Sequence, residues 1–229
     1  MNKKIVLISD SHNKHKILTS NAYGNILGGG DILVHAGDCT SMGKKHEIDN
    51  FLDWFSKTDF EHKIFIAGNH DFGFERDYVV EQRYKDKGVI YLQDSEVIID
   101  GIKFYGSPWQ PEFYNWAFNL PRGEELAEKW EMIPEDTDIL ITHGPAYGML
   151  DHTIQGQQVG CVDLYHRIIK IRPKIHVCGH IHWAYGQKSF NGIEFLNASI
   201  LNERYEYENK PIVLYFDTET KQIDYDIEN

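Results

Sequence analysis

The sequence predicts an α/β protein whose sheets contain both parallel and antiparallel strands. Five short runs rich in isoleucine and valine have the length and composition of buried strands: KKIVLIS, DILVHA, KIFIAG, DILITHG and KIHVCG. Amphipathic stretches with helical spacing separate the early runs, and strands that alternate with helices are typical of layered α/β proteins. Short strands joined by tight turns follow residue 185 and add antiparallel pairs.

Helices are predicted where apolar residues recur with a period of three to four. The stretch HEIDNFLDWFSK (46–57) carries such a stripe, and so does RGEELAEKWEMI (122–133). VEQRYKD near residue 83 and VDLYHRIIKI near residue 166 are further candidates. Because stripes of this kind usually face a hydrophobic core, we assign them to packing and not to chemistry.

Three hairpins are predicted from turn residues between short apolar strands. Asn191-Gly192 separates YGQKSF from IEFLNAS, and Asp100-Gly101 separates EVII from IKFYG. The polar stretch TETK joins PIVLYFD to QIDYDI. Antiparallel pairs should therefore accompany the parallel strands.

The composition is that of an ordinary globular chain. Hydrophobic residues make up 41% and charged residues 25% of the 229 residues, and no apolar run approaches the roughly 20 residues of a membrane span. The length allows one or two domains, and a single domain over residues 1–229 is the simpler expectation. The start, MNKKIVLISDSH, has too few consecutive apolar residues for a secretory signal, so a cytoplasmic location is expected.

Net charge and cysteine usage argue against some classes of partner and structure. The chain has 23 Lys and Arg against 35 Asp and Glu, a formal net charge of -12, which repels polyphosphate chains and makes long nucleic acid a poor partner. Cys39, Cys161 and Cys178 form no CxxC spacing and cannot all pair, so no disulfide framework is indicated. Their expected role is that of small buried side chains.

Residue types that bind metals follow each of the five Ile/Val runs. In open α/β sheets ligands bind outside the carboxyl ends of the strands, where residues distant in sequence converge. Glycines beside these positions let the chain turn sharply as it leaves the sheet. The five strand-end segments are Asp10-Ser11-His12, Gly37-Asp38, Gly68-Asn69-His70-Asp71, His143-Gly144 and Gly179-His180-Ile181-His182.

The last segment raises a specific geometric question. If the strand continued through KIHVCGHIH, His180 and His182 would lie side by side on one face, close enough to share one metal ion. Taken alone, the motif is equally compatible with two exposed histidines at the end of a strand that have no role in binding. The other four segments favour one wall of a shared site.

The donor set suggests two metal ions in one site. The two oxygens of a carboxylate such as Asp38 could bridge two cations about 3.5–4 Å apart, the spacing of two-metal hydrolysis. Mixed imidazole and carboxylate ligands favour Mn, Fe, Zn or Ni over Ca or Mg, with Mn as the first expectation. Seven candidate donors exceed what one four-coordinate ion needs: Asp10, His12, Asp38, Asn69, His143, His180 and His182.

The charge of such a site indicates an anionic substrate. Two divalent ions, the carboxylates of Asp10 and Asp38 and a bridging hydroxide leave a net charge of about +1, and the neutral amide of Asn69 preserves it. A hydroxide between two cations is a ready nucleophile because metal coordination lowers the pKa of water to about 7. We therefore expect a phosphate ester to sit on the metals, in contact with Asn69.

His70 is the candidate acid catalyst. Successive residues usually point apart, so His70 should face the pocket when Asn69 faces the metals. A cationic imidazole there could hold the phosphate and protonate the leaving alkoxide. The alternative for His70 is a structural hydrogen bond beneath the site, and Asp71 could either orient His70 or cap the next turn.

The ordered set Asp-x-His, Gly-Asp, Gly-Asn-His-Asp, His-Gly and Gly-His-x-His spans residues 10–182 and resembles that of the calcineurin-like metallophosphoesterases. The resemblance implies a four-layer αββα sandwich with two mixed β-sheets. It also implies a two-metal centre on the seven residues named, hydrolysis of phosphoric esters, and a catalytic role for His70.

A closer likeness covers IYLQDSEV, YGSPWQPEFYNWAFNLPRG, DILITHGP and the NAS near residue 197. These segments are similar to the metallophosphoesterase-domain-containing proteins of the fetal-brain type, which implies phosphodiesterase activity on nucleotide-type substrates, including cyclic nucleotides. Some members carry Gly where this chain has His180, and the histidine favours an active enzyme. CTSMGKK after Asp38 departs from the Asp-Arg-Gly continuation of Ser/Thr protein phosphatases, which argues against phosphoprotein substrates.

The segment 107–123 is unusually aromatic. An aromatic face could stack a nucleobase, and Trp109 is the first choice for a substrate contact, with Arg122 meeting a phosphate. The alternative is a hydrophobic cover over the sheet or a subunit contact. The histidines outside the strand ends are expected to be structural or solvent-facing: His15, His35, His46, His62, His152, His166 and His176.

The sequence therefore predicts a metal-dependent phosphodiesterase for small phosphoric esters, probed by the diester and monoester of p-nitrophenol. A phosphomonoesterase or nucleotidase with the same centre is the enzymatic alternative. A nuclease is disfavoured by the acidic balance, and a catalytically silent scaffold on the same fold is the alternative from another class. The physiological substrate, the identity of each metal and the oligomeric state stay open.

Overall fold

The computed structural model describes residues 1–76 and 84–225, and its first sheet has six strands. They are β1 (Asn2–Ile8), β2 (Gly30–Ala36), β3 (Phe60–Ile66), β4 (Ile90–Tyr91), β13 (Ile212–Asp217) and β14 (Ile223–Tyr225). The order is β14-β13-β1-β2-β3-β4. Strands β1 to β4 are parallel, whereas β13 pairs antiparallel with both β1 and β14. The first sheet is therefore mixed, as predicted.

The second sheet repeats this arrangement. It consists of β5 (Ser95–Ile99), β6 (Ile102–Ser107), β9 (Ile139–Thr142), β10 (Ile175–Cys178), β11 (Gly186–Phe190) and β12 (Ile193–Asn197), in the order β11-β12-β10-β9-β6-β5. The four central strands are parallel and the two outer strands are antiparallel to their neighbours. The short strands β7 (Gln110–Pro111) and β8 (Asn119–Leu120) form a separate parallel pair.

Four helices accompany the sheets within the described residues: α1 (Lys45–Ser56), α2 (Phe72–Glu75), α3 (Glu124–Glu131) and α4 (Val162–Ile171). α1, α3 and α4 confirm three of the predicted helices. The helix predicted over VEQRYKD falls mainly on residues 77–83, outside the described part of the chain. No helix in residues 1–76 or 84–225 is long and apolar enough to cross a lipid bilayer.

The predicted hairpins are present. β11 pairs antiparallel with β12 across Asn191-Gly192, and β5 pairs with β6 across Asp100-Gly101. Both Asn191 and Asp100 have positive φ angles of 51° and 50°, which suits a two-residue turn followed by glycine. β13 pairs with β14 as predicted for PIVLYFD and the described part of QIDYDI.

The core has four layers because side chains of successive strand residues point to opposite faces. Ile5 and Leu7 of β1 lie in the cluster between the two sheets, while Val6 and Ile8 lie in the outer cluster with α1. The second sheet packs its other face on α3 and α4 in the same way. The predicted αββα sandwich is confirmed, and the three cysteines are buried and unpaired, also as predicted.

The two sheets meet at the carboxyl ends of their parallel strands. The imidazole Nδ1 of His143, after β9, lies 2.9 Å from the carbonyl oxygen of Ala36 in β2. Ser9 and Ser199, which follow β1 and β12, form an isolated parallel bridge between the sheets. The strand-end segments of both sheets are therefore held at one edge of the sandwich.

Candidate metal centre

Six of the strand-end side chains form two clusters whose potential ligand atoms lie within 4.8 Å of one another. The first cluster contains Asp10, His12 and His182, and the second contains Asp38, His143 and His180. A third grouping of His12, Asp38 and His70 connects them. Five loops from two sheets therefore contribute to one centre.

The first cluster is arranged around one oxygen of Asp10. Asp10 Oδ1 lies 3.3 Å from His182 Nε2 and 4.0 Å from His12 Nε2. His12 Nε2 also lies 3.7 Å from Asp38 Oδ2. One ion could therefore be reached by Asp10, His12, His182 and Asp38.

The second cluster is arranged around Asp38 and Asn69. His143 Nε2 lies 3.2 Å from Asp38 Oδ2 and 3.0 Å from Asn69 Oδ1, and His180 Nδ1 lies 2.8 Å from the same amide oxygen. Because Asp38 is within reach of both clusters, its carboxylate has the position that a bridging ligand needs.

The backbone at these positions adopts a conformation that side chains rarely adopt. Asp10, His12, Asp38 and His180 have φ angles of 54°, 38°, 53° and 66°. Left-handed backbone in non-glycine residues costs free energy, persists where the surroundings enforce it, and is common at functional sites. Here Asp10 N donates to Gly37 O at 3.0 Å and His12 N donates to Asp38 O at 3.0 Å.

Two glycines make room for the carboxylates. A Cβ atom on Gly179 would lie 2.1 Å from Asp10 Oδ2, and a Cβ on Gly68 would lie 2.4 Å from Asp38 Oδ1. Non-bonded atoms do not approach one another this closely, so no side chain fits at either position without a shift of its neighbours. The glycines in Gly-His-x-His and Gly-Asn-His-Asp therefore keep the strand ends close to the two carboxylates.

Outer hydrogen bonds orient the candidate ligands. Asp10 Oδ2 accepts from Ser199 Oγ at 2.8 Å, and Asp38 Oδ1 accepts from the backbone N–H of His70 at 2.8 Å. His182 Nδ1 lies 2.9 Å from the carbonyl oxygen of Asn202, just as His143 Nδ1 lies beside Ala36 O. Because a carbonyl oxygen can only accept a hydrogen bond, Nδ1 of each ring must carry a proton. In the neutral ring Nε2 then keeps its lone pair, which a metal ion can bind.

The charges in the centre favour a bound cation. Burial disfavours charge on His143 and His182, but the adjacent carboxylates of Asp38 and Asp10 raise the pKa of each to about 9. Burial likewise opposes ionisation of Asp38 and Asp10, yet the same imidazoles hold both carboxyl pKa values below their usual range. In the absence of metal ions, protons on His143 and His182 balance the charge of the carboxylates, as divalent ions would when bound.

His12 supplies a direct test of whether the residues fit metal ions. Its side chain is 3% exposed, and neither ring nitrogen has a hydrogen-bond partner within the described residues. Burial lowers its pKa to about 4, so the ring is neutral at pH 7. A buried, neutral and unpartnered imidazole beside two carboxylates has the chemistry of a ligand, and the donor set fits two divalent ions.

The interpretation of His180 and His182 as neighbours on one strand is wrong. β10 ends at Cys178, His180 has a left-handed backbone, and His182 begins a 3₁₀ helix (His182–Ala184). The turn sends His180 to the second cluster and His182 to the first. The two histidines therefore lie in different clusters, beyond the turn at Gly179 and His180 that follows the strand.

His70 lies beside both clusters. Its Nδ1 is 2.8 Å from the carbonyl oxygen of Ser41, which leaves Nε2 as the atom available for chemistry. The ring lies 4.6 Å from the ring of His12 and 4.1 Å from the ring of Trp116, with an angle of 31° between the His70 and Trp116 planes. His70 is half-buried, so one edge remains accessible.

Asp71 joins two of the loops that carry candidate ligands. Its buried carboxylate accepts from the backbone N–H groups of Gly68 at 2.9 Å, Cys39 at 3.1 Å and Thr40 at 2.9 Å. It makes no side-chain cap on α2. The carboxylate thus ties the loop after β2 to the loop after β3, a role distinct from the orientation of His70 or the capping of a turn.

The aromatic segment 107–123 contacts the centre through Trp116, and not through Trp109 or Arg122, the two residues predicted to meet the substrate. Trp109 Nε1 donates to Asp94 at 2.8 Å, and Lys129 Nζ lies 4.5 Å from its ring centroid, so this side chain is engaged with α3 and the Asp94 turn. The ring of the segment that meets His70 belongs to Trp116. Arg122 donates to the carbonyl oxygens of Gly160 at 2.8 Å and Val159 at 2.7 Å.

Two neighbouring cavities, here called the first and second lobes, have the candidate ligand His180 in their walls. The first lobe, about 410 Å³, is lined on one side by His182, Trp183 and Tyr205. The second lobe, about 310 Å³, is lined by Phe113, Arg122 and Gly144, among others. Both lobes include Thr153, His180 and Ile181 in their walls. A larger cleft of about 490 Å³ beside α1 contains none of the candidate ligands.

Gln110 provides a buried acceptor in the wall of the second lobe. Asn119 Nδ2 donates to the carbonyl oxygens of Phe113 at 3.1 Å and Tyr114 at 2.9 Å, so its Oδ1 accepts from Gln110 Nε2 at 3.3 Å. That network fixes the orientation of the Gln110 amide. Gln110 Oε1 then remains buried without a partner in the described part of the chain.

The segment after β12 contains functional candidates that sequence reasoning missed. Ser199, Asn202 and Tyr205 lie in a stretch without regular periodicity, and none of them is an ordinary metal ligand. Only the NAS near residue 197 gave a hint, because it belongs to a segment that resembles a known subgroup. The seven other histidines lie outside the metal-ligand clusters of the described residues, and His15, His35 and His176 are buried in the layers.

Comparisons with known proteins agree with this geometry. The model of the calcineurin-like phosphoesterase family matches residues 3–184. Human metallophosphoesterase domain-containing protein 1 is 39% identical over 235 aligned residues, covering 92% of this chain and 70% of that protein. A UPF0046 protein of Caenorhabditis elegans is 36% identical, covering 95% of this chain and 76% of that protein.

A solved structure supports the fold independently. Phosphopantetheinyl hydrolase from Mycobacterium tuberculosis superposes with a TM-score of 0.60 at 18% identity, covering 88% of this chain and 90% of that one. At this level of identity the likeness concerns the fold alone.

Proposed function

The chain belongs to the calcineurin-like phosphoesterase family, and from this premise we propose that it is a phosphodiesterase acting on small phosphoric esters, including cyclic nucleotides. Family membership supports hydrolysis of phosphoric esters and implies a dinuclear divalent metal centre. The preference for diesters, the nucleotide substrate and the roles of individual residues are our proposals.

Seven residues would hold the two ions. Asp10, His12 and His182 would bind one ion, and Asn69, His143 and His180 the other, with Asp38 between them. When bound, the ions would activate water and offset the negative charge of the phosphoryl group. The mixture of imidazole and carboxylate in the donor set suits manganese, iron, zinc and nickel alike, and we propose manganese as the first of these to test.

The remaining steps belong to side chains of the chain itself. Nδ1 of His70 donates to the carbonyl of Ser41, so Nε2 carries a proton only when the ring is the cationic imidazolium. In that form Nε2 would pass its proton to the oxygen that leaves phosphorus. Asn69 contributes a neutral oxygen, so it adds no negative charge that would repel the phosphate. The carboxylate of Asp71 keeps the Asp38 and Asn69 loops in register.

The observation that carries the preference for diesters is the two-lobed cleft. A phosphodiester carries two organic groups on phosphorus, and two neighbouring cavities with His180 in their walls could each hold one of them. Trp183 is 55% exposed in the first lobe and Phe113 is 53% exposed in the second, so each lobe offers an aromatic face. Flat bases stack on such faces at about 1–3 kcal/mol each.

The second lobe is our choice for a nucleobase. Phe113, 53% exposed in its wall, offers a face on which a base can stack. Arg122 adds a positive charge at the rim of this lobe. Two of its guanidinium N–H groups already donate to backbone carbonyl groups, so we do not assign it a bidentate contact with phosphate. Trp109 would hold the segment 107–123 in place through its contacts with Asp94 and Lys129, while Phe113 would contact the substrate.

Two coarser expectations accompany this proposal. We propose that residues 1–229 act as one domain, which the inter-sheet cluster shared by both sheets supports. We also propose a cytoplasmic location, which three unpaired cysteines support.

The experiment is a substrate comparison on one preparation whose metal content has been measured. Bis-p-nitrophenyl phosphate, p-nitrophenyl phosphate and a panel of cyclic nucleotides are assayed after loading with manganese, iron, zinc or nickel. We expect a higher kcat/KM for the diester than for the monoester, and turnover of a cyclic nucleotide. A preference for the monoester would indicate a phosphomonoesterase. Inertness of the metal-loaded protein towards every ester would indicate a silent scaffold.

A further inference from the structure

Tyr205 has a backbone conformation that needs an explanation. Its φ angle is 59°, in the left-handed region that bulky side chains seldom occupy. Three hydrogen bonds hold the turn: the N–H of Tyr205 donates to Asn202 O at 2.8 Å, and Asn202 Oδ1 accepts from the N–H groups of Arg204 at 2.9 Å and Glu206 at 3.0 Å. Lys14 Nζ donates to the carbonyl oxygen of Tyr205. The strained position is therefore fixed from several sides.

The strain places the aromatic ring beside the first cluster. The ring centroid lies 4.8 Å from that of His12, 5.5 Å from that of His182 and 6.5 Å from that of His70. The carbonyl of Asn202 that anchors Tyr205 also accepts from His182 Nδ1 at 2.9 Å. Asn202 therefore positions both His182, a candidate metal ligand, and Tyr205.

The phenol is an uncommitted donor. Tyr205 remains 42% exposed and lines the first lobe, and its hydroxyl makes no hydrogen bond within residues 1–76 and 84–225. A protonated hydroxyl at the mouth of the centre can donate to a substrate oxygen.

We propose that Tyr205 is a further catalytic residue, whose phenol donates a hydrogen bond to the oxygen that leaves phosphorus, alongside His70. The rings of Tyr205 and His70 lie 4.8 and 4.6 Å from the same ring, His12, so both border the same end of the centre. The inference rests on the proposed phosphodiesterase function. No bond to Tyr205 forms or breaks, because the phenol only stabilises the charge that develops on the departing oxygen.

The test uses two diesters that differ in their leaving group. Metal-loaded wild type, Tyr205→Phe and Tyr207→Phe are compared on methyl p-nitrophenyl phosphate and methyl phenyl phosphate. Tyr207 is the matched control, because it lies two residues away and packs on the outer cluster and on Tyr23. The stable p-nitrophenolate needs little help, whereas phenolate needs more.

We expect Tyr205→Phe to lower kcat about tenfold on methyl phenyl phosphate, the size of one lost hydrogen bond, and by less than about threefold on methyl p-nitrophenyl phosphate. Metal content and the activity of Tyr207→Phe should stay at the wild-type level. Equal losses on both diesters, no loss on either, or a loss of bound metal in Tyr205→Phe would overturn the role of Tyr205 alone. An inert wild type would overturn the proposed function and this role with it.

Discussion

His143 and His182 at the strand-end edge have the opposite electrostatic character from the buried histidines in the helix-sheet layers, whereas burial keeps His12 and His180 of the same centre neutral. In the centre, carboxylates raise the pKa of His143 and His182 to about 9. In the layers, burial lowers the pKa of His35 and His176 to about 3. The same side chain is thus drawn towards the cationic form in one region and held neutral in the other. Burial acts in both regions, so the carboxylates make the difference.

A buried histidine is therefore a candidate metal ligand when acidic groups lie beside it. His35 Nε2 lies 2.9 Å from Ser11 Oγ, and His176 Nε2 lies 2.8 Å from Thr142 Oγ1, so each of these two histidines has a neutral partner. The histidines of the centre face Asp10 and Asp38. Substitutions in the centre and substitutions in the layers should therefore have different measurable effects.

Removal of the shared carboxylate should have the largest effect. Asp38→Asn takes a charge from both clusters, so we expect loss of both ions and a fall in diester hydrolysis well beyond the roughly 100-fold that loss of an outer partner can cost. Elemental analysis and kcat/KM are measured on the same sample. Asp53→Asn on α1 is the matched control. Full metal content in Asp38→Asn would contradict a bridging position.

Removal of the proposed acid should separate chemistry from metal binding. His70→Ala should keep both ions and lose about 10²- to 10⁴-fold in kcat, because general acid catalysis contributes that much. The exposed His46→Ala provides the control, with activity unchanged. Unaltered turnover in His70→Ala would remove His70 from the mechanism.

Removal of an outer hydrogen bond should weaken one side of the centre. Ser199→Ala deprives Asp10 of its donor at 2.8 Å, and we expect metal affinity to fall by about 10- to 100-fold at the site that contains Asp10. Competitive chelation would measure the two affinities, with the exposed Ser189→Ala as control. Equal weakening of both sites would contradict the division into two clusters.

Removal of a layer histidine should change acid stability instead of activity. Burial lowers the pKa of His15 to about 4, below its unfolded value, so the unfolded chain takes up the proton first and stability falls as pH drops from about 6.5 towards 4. At pH 5 this costs about 2 kcal/mol. His15→Phe should recover that amount relative to its effect at pH 7.

Urea unfolding of metal-depleted protein at pH 7 and pH 5 would measure the difference. The exposed His46→Phe should lack it. A His15→Phe variant whose stability depends on pH as steeply as that of wild type would show that His15 is charged or accessible.

Much of the fold could be predicted because its signals are local. Ile/Val runs, turn pairs such as Asn191-Gly192 and helical stripes act over a few residues, and they correctly gave the mixed sheets and three helices. Convergence of the five strand ends follows from a general rule for α/β sheets. The assignment of the seven candidate ligands rests on the same rule together with the family resemblance.

The details that could not be predicted depend on long-range geometry. His180 and His182 separate because the strand ends at Cys178, and no pattern in KIHVCGHIH specifies the positive φ of His180. Asp71 bridges loops that are 32 residues apart, as its bond to Cys39 N illustrates. Tyr205 reaches the centre only through the fold of an irregular segment after β12.

The most direct test of the account is diffraction from metal-loaded crystals, with anomalous differences measured at the absorption edge of the bound metal. We expect two ions, one contacted by Asp10, His12 and His182 and the other by Asn69, His143 and His180, with Asp38 between them. An active preparation with a single ion, or with ions elsewhere in the molecule, would contradict it.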